Sequence, residues 1–275
     1  MGSPARPITG IPRALTIAGS DSGGGAGIQA DLKVFLALGC HGMSAVTALT
    51  AQNTVGVTGI HEVPADFVVE QIEAVATDIG IDAAKTGMLA SAEIVSAVAK
   101  AIRTHDIPNV VVDPVFVSKH RDTLLAGDAV DALREDLFPA AAIVTPNLYE
   151  AGALLGAEIH TLEEMKDAAR QLARLGPRAV LVKGGHLPGD SAVDVLLRDG
   201  EITEIEGPRF DTQDTHGTGC ALSAAIAAHL ARGDGLVAAV RSAKAFVAGA
   251  IERGLRIGRG YGPVNPGWAL PGRDR

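Results

Sequence analysis

The chain has 275 residues, of which 47% are hydrophobic, and a formal net charge of −8. This length and apolar content suit one large domain with a buried core, and the acidic balance without a basic patch argues against a nucleic-acid partner. The longest uncharged stretch, 34–60, is interrupted by glycines and polar residues, so it predicts buried core and no membrane-spanning helix.

The ends of the chain and its cysteines indicate the cellular compartment. Residues 1–12 contain three prolines and two glycines but no apolar run of a secretion signal, so we expect a flexible leader and a cytoplasmic protein. Cys40 and Cys220 lack the short spacing of a metal site, and two isolated thiols are typical of a reducing compartment. We predict a single domain over 13–264 and a C-terminal tail over 265–275.

Short β-rich apolar runs alternate with helical patterns through the first half of the chain. In chain order, the pattern predicts a strand near Ala14–Ala18, a helix over Ile28–Leu38, a strand near Ser44–Leu49, a helix over Ala65–Asp78, a strand at Ala83–Thr86, a helix over Ser91–His105, and strands at Val110–Val112 and Ile143–Thr145. Because a strand–helix–strand unit usually returns parallel, this alternation favours a parallel sheet.

The second half adds an antiparallel hairpin. Thr161 and Glu164 have the spacing of a capping box, which predicts a helix from there to Leu175, and the Asp199-Gly200 pair predicts a tight turn. The remaining elements are a strand at Val180–Lys183, hairpin strands at Val193–Leu197 and Ile202–Ile205, helices at Cys220–Arg232 and Leu236–Leu255, and an irregular segment from Gly258. The sequence therefore predicts a three-layer α/β domain with a mostly parallel central sheet.

A glycine-rich loop, Gly19–Gly27, follows the first predicted strand and leads into the first helix. Its backbone N–H groups could meet a ligand. It partly fits the dinucleotide fingerprint, but no acidic residue lies between Asp31 and Glu62 to bind a ribose. It also lacks the Gly-Lys-Ser/Thr of a Walker loop, so a tight strand-to-helix turn remains the alternative.

A second small-residue loop, Asp214–Cys220, opens an Ala-rich helix. Unpaired N–H groups and the positive end of the dipole at the start of this helix would bind an anion such as phosphate. The same field would lower the pKa of Cys220, which could then accept a proton from a substrate hydroxyl. The alternatives are a close-packed turn and a cysteine that serves as a small hydrophobe.

Polar residues follow several predicted strands. Asp113 follows one strand, Asn147 and Glu150 follow the next, and Lys183 ends a third. In open parallel sheets ligands bind at the carboxyl ends of strands, where the two carboxylates could hold Mg²⁺ and the lysine could meet a phosphate. Helix capping and an ordinary solvated lysine are the alternatives.

Three residues are candidates for binding a heteroaromatic ring. The Gln52 amide can donate and accept hydrogen bonds together, Asp31 follows the glycine loop, and Met88 could cover a ring. Each also has an ordinary structural interpretation as a turn residue, a first-turn helix charge and a core side chain, respectively.

Seven segments in order, spread over Ala14–Val264, together resemble the hydroxymethylpyrimidine/phosphomethylpyrimidine kinases. The segments are Ala18–Asp31, Ala51–Thr54, Lys85–Met88, Val112–Val115, Thr145–Asn147, Lys183–His186 and Thr215–Cys220. The resemblance implies a ribokinase-like fold, use of ATP and Mg²⁺, and a homodimer. It also implies a kinase that phosphorylates 4-amino-5-hydroxymethyl-2-methylpyrimidine and then its monophosphate, in thiamine biosynthesis.

The same resemblance assigns site residues. It implies that Cys220 faces the reacting hydroxyl and that Asp113 and Glu150 lie near the metal. The other assignments are Gly19, Asp31, Gln52, Met88 and the main chain of Val115 for the pyrimidine, Gly217, Thr218, Gly219 and Cys220 for the anion hole, and Asn147, Lys183, Thr215 and Lys244 for the nucleotide.

Two positions depart from the family pattern. Ser118–Asp122 stands where relatives commonly have Lys-Ser-Gly, so closure of a flap over the site is an open question. Asp214 stands where Asn is frequent. Three other functions remain open: a pyridoxal kinase, a non-catalytic pyrimidine-binding domain, and a nicotinamide oxidoreductase, the last weakened by the missing acidic ribose partner.

Overall fold

The structure is a computed structural model, and it describes residues 10–115, 127–185, 187, 189 and 191–270. Nine strands in this part of the chain form one sheet in the order β3-β2-β1-β4-β5-β6-β7-β8-β9. The strands are β1 (Arg13–Asp21), β2 (His41–Gln52), β3 (Val57–Glu62), β4 (Ala83–Thr86), β5 (Val110–Val112), β6 (Ile143–Val144), β7 (Ala179–Val182), β8 (Ser191–Arg198) and β9 (Glu201–Pro208).

The helices cover both faces of this sheet. They are α1 (Gly27–Ala37), α2 (Ala65–Asp78), α3 (Ala92–Thr104), α4 (Gly127–Ala132), α5 (Leu148–Leu155), α6 (Leu162–Ala173), α7 (Thr218–Ala231) and α8 (Leu236–Glu252). One buried apolar cluster packs α1, α7 and α8 on one face, and a second packs α2, α3 and α6 on the other. The three-layer α/β/α prediction is therefore confirmed.

Six neighbouring strands, β2, β1, β4, β5, β6 and β7, are parallel. Their carboxyl ends consequently meet at one edge of the sheet, which is where ligands bind in open α/β folds. The predicted hairpin is present as β8 and β9, antiparallel to each other, and β8 is antiparallel to β7.

Most predicted elements agree with the structure. The helix α2 and the strand β4 have the predicted bounds, and α6 begins with the predicted capping box of Thr161 and Glu164. Among the strands and α-helices of the described residues, two were missed, β3 and α4. The strand β3 pairs antiparallel with β2 at the sheet edge and is largely exposed, so it lacks the apolar face from which a strand is predicted.

The helix α7 is buried on all sides between the sheet, α1 and α8. Its Ala-rich sequence permits this close packing, and its N-terminus points to the carboxyl edge of the sheet. Near the end of the described chain, Trp268 donates a hydrogen bond from Nε1 to the Phe246 carbonyl oxygen at 3.0 Å and thus packs on α8. Within the described residues no helix is both long and apolar enough to cross a membrane.

Candidate active site

Two groups of polar residues lie along the carboxyl edge of the sheet. One lies at the ends of β2, β1 and β4 and contains Gln52, with Gly19 and Met88 beside it. The other follows β5, β6 and β7 and includes Asp113 and the residues after β6 and β7. The helix α7 packs against β1, β4 and β5. Its N-terminus therefore lies between the two groups.

The glycine loop is held by a residue within it, Asp21. Asp21 Oδ1 accepts a hydrogen bond from the Gly23 N–H at 2.8 Å, and Oδ2 accepts from Gly25 at 3.0 Å and Ala26 at 2.8 Å. Burial acts to raise the pKa of this carboxyl, but the bonds from His216 and the backbone outweigh it and hold the pKa below its usual value. A buried carboxylate thus fixes the loop shape.

The second loop starts α7 with its N–H groups open. Gly217 has φ +81, and the first helical hydrogen bond runs from the Ala221 N–H to the Gly217 carbonyl at 2.8 Å. The N–H groups of Gly219 and Cys220 therefore precede the helical ladder, as at any helix N-terminus. This is the geometry expected of an anion site.

The two loops touch each other. A Cβ atom at Gly217 would overlap the Gly25 carbonyl oxygen, and one at Gly25 would overlap the ring of His216. His216 also reaches Asp21, with 3.0 Å between Nε2 and Oδ2, and Gln52, with 3.5 Å between the two Nε2 atoms. The motifs that the sequence gives as separate loops are one assembly.

Two of the pyrimidine candidates are in contact, Gly19 near the end of β1 and Met88 after β4, and Gln52 ends the neighbouring strand β2. The Gly19 N–H donates to the Met88 carbonyl at 3.1 Å, and the Met88 side chain lies over the Gly19 backbone. Gln52 is half-buried, and its Oε1 accepts from the Thr50 hydroxyl at 3.1 Å, which leaves the amide donors available.

Asp31 is on α1 and has no exposed surface. Its Oδ2 accepts from Lys85 Nζ at 2.8 Å and from the Thr16 hydroxyl at 2.6 Å, while Oδ1 has no hydrogen-bond partner among the described residues. Burial disfavours the ammonium and is the largest single effect, but the charge and hydrogen bond of Asp31, together with the other negative groups nearby, outweigh it and raise the pKa of Lys85. Asp31, which the sequence predicts to bind the pyrimidine, is thus one half of a buried ion pair in this structure.

The second group of polar residues converges on one lysine. Lys183 Nζ lies 2.9 Å from Asp113 Oδ1 and 3.9 Å from Glu150 Oε2. Asp113 also accepts from Thr145 and Ser223, each at 3.2 Å. Burial would raise the pKa of Asp113, but the charges of Lys183 and Lys85 overcome it and the pKa is lowered.

Glu150 differs from Asp113 in its ionisation. Its Oε2 accepts from the Asn147 N–H at 2.7 Å, and Asn147 caps α5 through a bond of 2.9 Å from the Glu150 N–H. Burial raises the pKa of Glu150 to about 7 despite the opposing charge of Lys183. The capping role that the sequence left open is therefore real, and it does not use the other carboxylate oxygen.

The donor set fits magnesium bound together with a nucleotide. No group of three or more metal-ligating side chains occurs among the described residues. Mg²⁺ usually takes one or two carboxylates, water and substrate phosphates, and Asp113 and Glu150 supply two hard oxygen ligands. A site of this kind is completed by phosphate oxygens rather than by a protein cage.

The pKa expected for Cys220 was wrong in direction. Burial raises the pKa of its thiol to about 11, while the Lys85 charge and a hydrogen bond from the Gly27 N–H act in the lowering direction. Asp31 and Asp113 add negative charge nearby and raise the pKa further. The thiol is therefore neutral at pH 7.

Other predicted nucleotide residues are placed as follows. The Thr215 carbonyl accepts from the Thr218 hydroxyl at 2.7 Å, so Thr215 is held in the loop directly before α7 by the first residue of that helix. Lys244, on α8, pairs with Asp194 of β8 at 2.7 Å, and Asp194 also accepts from the Gly184 N–H next to Lys183.

Val115 stands at the end of the described segment after β5, where its N–H donates to the Asp113 carbonyl at 2.9 Å. The Ser118–Asp122 segment and His186 lie outside the described residues.

Sequence reasoning gave no role to three residues of the site: Asp21, Lys85 and His216. All lie inside the recognised segments, so their signal was position within a motif rather than any spacing. Their partners are distant in sequence, which local patterns cannot reveal.

An anion site at a helix N-terminus, beside carboxylates with a lysine and beside groups suited to a heteroaromatic ring, defines a small-molecule kinase of α/β fold.

The sequence model of the family described as phosphomethylpyrimidine kinase matches residues 21–265. A hydroxymethylpyrimidine/phosphomethylpyrimidine kinase of Streptomyces coelicolor is 52% identical over 270 residues, covering 98% of this chain and 99% of the relative. The chain therefore belongs to the phosphomethylpyrimidine kinase family.

Solved structures agree with this fold. An ADP complex of Bacillus subtilis pyridoxal kinase superposes with a TM-score of 0.88 at 39% identity, covering 94% of this chain and 98% of that one. A phosphomethylpyrimidine kinase from Clostridium difficile gives a TM-score of 0.77 at 42% identity, covering 87% of this chain and 99% of the other.

Proposed function

We propose that this protein transfers the γ-phosphoryl group of ATP to the hydroxymethyl group of 4-amino-5-hydroxymethyl-2-methylpyrimidine, and then phosphorylates the monophosphate to the diphosphate. The observation that carries the proposal is the position of the α7 N-terminus. It lies between Gly19, Gln52 and Met88 on one side and Asp113 and Lys183 on the other. A ring bound on the first side and a triphosphate on the second would meet at this N-terminus.

Positioning and charge stabilisation account for the reaction. The N–H groups of Gly219 and Cys220 and the positive end of the α7 dipole stabilise negative charge on the transferred phosphoryl oxygens. Lys183 contributes a positive charge, and its pKa is raised because Asp113 and Glu150 outweigh the effect of burial. Gln52 donates to an acceptor nitrogen of the ring, and the Met88 side chain covers one face.

Cys220 orients the hydroxyl of the substrate. A neutral thiol is not a preformed base, and a loose phosphoryl-transfer transition state needs little proton removal before the new bond forms. The thiol accepts or donates a hydrogen bond to the hydroxyl and fixes its direction toward the phosphoryl group.

Magnesium belongs to this proposal as a partner of the nucleotide. Asp113 and Glu150 are the residues that would hold it, directly or through water, and it would supply positive charge to the phosphate oxygens. The anion-hole N–H groups do not depend on it.

The test is ATP consumption with products identified by mass, for the purified protein with Mg²⁺ and hydroxymethylpyrimidine, its monophosphate or pyridoxal in parallel. Sequential mono- and diphosphate formation is the expected result. Binding of the pyrimidine with no phosphorylation would instead support a non-catalytic binding domain.

A second candidate is pyridoxal phosphorylation. It is favoured by the TM-score of 0.88 to the Bacillus subtilis pyridoxal kinase, whose substrate also carries a hydroxymethyl group on a nitrogen heteroaromatic ring. A higher kcat/KM for pyridoxal than for the pyrimidine would make it the main function.

The proposal includes a cytoplasmic homodimer. The strand β3 leaves an open sheet edge on which Ile60 is exposed, and such an edge is suited to pairing with a second copy. Light scattering of the purified protein should give twice the chain mass of 28.1 kDa.

A further inference from the structure

Asp21 and His216 form a buried pair that joins the two glycine loops. They are 2% and 6% exposed, and Oδ2 of the aspartate lies 3.0 Å from Nε2 of the histidine. The same Oδ2 accepts from the N–H groups of Gly25 and Ala26. One oxygen atom thus binds the first loop and the side chain of the second.

The chemistry of this contact fixes the histidine tautomer. An ionised carboxylate can only accept hydrogen bonds, and the pKa of Asp21 is held below its usual value. Nε2 of His216 therefore carries the proton that it shares with Asp21. Gln52 Nε2 lies 3.5 Å from the same ring nitrogen. Because both nitrogens are donors, they do not form a hydrogen bond with each other.

The backbone of His216 is fixed from the opposite side. Its N–H donates to the Gly262 carbonyl and its carbonyl accepts from the Val264 N–H, both at 3.0 Å. The next residue is Gly217, which begins α7 against the Gly25 carbonyl. A shift of the His216 side chain would consequently be transmitted to the first turn of the helix.

We propose that Asp21 and His216 are positioning residues for phosphoryl transfer, because their contact sets the distance between the glycine loop beside Gln52 and the anion-binding turn of α7. The inference rests on the proposed function for the reaction that it serves. Neither side chain contacts the reacting atoms. A displacement of about 1 Å between bound reactants is enough to lower a rate about 10²-fold, so a small separation of the loops has a large effect on turnover.

Three variants separate the hydrogen bond from the packing. His216→Phe keeps a ring against Gly25 but removes the donor, His216→Gln restores an N–H near Nε2, and Asp21→Asn removes the charge. The chain offers a matched control in His229, a buried histidine near the far end of α7 whose Nδ1 lies 2.7 Å from Asp234 Oδ2.

The kinetic comparison uses hydroxymethylpyrimidine, ATP and Mg²⁺. We expect His216→Phe and Asp21→Asn to lower kcat about 10²-fold, with KM for each substrate changed less than about threefold. The kcat of His216→Gln should be at least about tenfold higher than that of His216→Phe. His229→Phe should leave kcat within about twofold. Equal kcat values for His216→Phe and His229→Phe would overturn the proposal.

Amide hydrogen exchange supplies a readout that needs no substrate. In His216→Phe, exchange should accelerate about tenfold or more in peptides covering both 23–26 and 215–220, and not in peptides from β8 and β9. His216→Gln should restore the slow exchange. Unchanged exchange in either loop would overturn the coupling, even if wild-type protein phosphorylated no pyrimidine and the proposed function had itself failed.

Discussion

Lys85 Nζ lies 2.8 Å from Asp31 Oδ2, and neither side chain has any exposed surface. Taking two charges out of water costs free energy that their attraction repays only partly, and Asp31 Oδ1 has no partner among the described residues. The pair lies under the first turn of α7, close enough for Lys85 to act on the charge state of Cys220. The pair therefore influences the charge of the site and contributes little to stability.

This buried ion pair predicts that substitutions of Asp31 and Lys85 have strongly coupled effects on the free energy of unfolding. Asp31→Leu and Lys85→Met should each lower the free energy of unfolding by about 3–5 kcal/mol, because each leaves one buried charge unpaired. The double variant should be much less destabilised than the sum of the two. Urea unfolding of the four proteins measures the coupling, and additive losses would contradict a mutually dependent pair. The folded double variant should still lose turnover.

The placement of site residues at the carboxyl edge of the sheet was predictable from the sequence, whereas the pairing of buried side chains was not. Asp113 and Lys183 directly follow apolar strands and Asn147 lies three residues beyond another, and parallel strands bring their carboxyl ends to one edge. By contrast, Asp31 and Lys85 are 54 residues apart in the chain, and their pairing depends on how α1 packs over β1 and β4. No local pattern contains that information.

The error at Cys220 has the same origin. A helix N-terminus lowers a thiol pKa, and that part of the inference needs only local sequence. Burial acts in the opposite direction and depends on α7 being enclosed by the sheet and its neighbouring helices. Desolvation is a tertiary property, so the balance between the two effects appears only in the fold.

Replacing Cys220 should affect turnover rather than binding. Cys220→Ala removes the group that orients the substrate hydroxyl, so we expect kcat to fall about 10²-fold while KM for the pyrimidine changes less than about threefold. The control is Cys40→Ala, since the Cys40 thiol is buried behind α7 and bonds to the Ala228 carbonyl. Steady-state kinetics decide; equal kcat values in the two variants would remove Cys220 from the reaction.

The raised thiol pKa also predicts how Cys220 is alkylated. Only the thiolate reacts with iodoacetamide, and a pKa of about 11 leaves little thiolate near neutral pH. The alkylation rate of Cys220, followed by peptide mass in the absence of ligands, should therefore rise about tenfold for each pH unit between pH 7 and 10. A plateau reached below pH 8 would show an activated thiolate instead.

Glu150 predicts a pH dependence of stability with a defined sign. Its pKa is raised from 4.5 to about 7 in the folded protein, so between these values the folded state keeps a proton that the unfolded state has released. The stabilisation is complete below pH 4.5 and is lost as pH rises through about 7. Glu150→Gln keeps the capping box and does not titrate.

The measurement is the urea midpoint of both proteins from pH 4.5 to 8. The free energy of unfolding of wild type, relative to Glu150→Gln, should fall by on the order of 2 kcal/mol across that range. A constant difference between the two proteins would mean that Glu150 has the same pKa in the folded and unfolded states.

Gly217 and Gly200 separate backbone strain from contact between the loops. Both have positive φ, +81 and +80, but only at Gly217 would a Cβ atom overlap another group, the Gly25 carbonyl oxygen. Gly200→Ala should therefore cost about 1 kcal/mol of stability, from the left-handed conformation alone, and leave turnover unchanged.

Gly217→Ala carries the same strain and must also push the glycine loop away from the first turn of α7. We expect a similar or larger loss of stability together with a fall in kcat of about 10²-fold, because the N–H groups of Gly219 and Cys220 no longer meet the phosphoryl group in register. Urea unfolding and kinase assays on the two variants distinguish the effects. If Gly217→Ala retained the turnover of Gly200→Ala, close contact between the loops would not be required for phosphoryl transfer, and the anion site would have to work as an independent helix terminus.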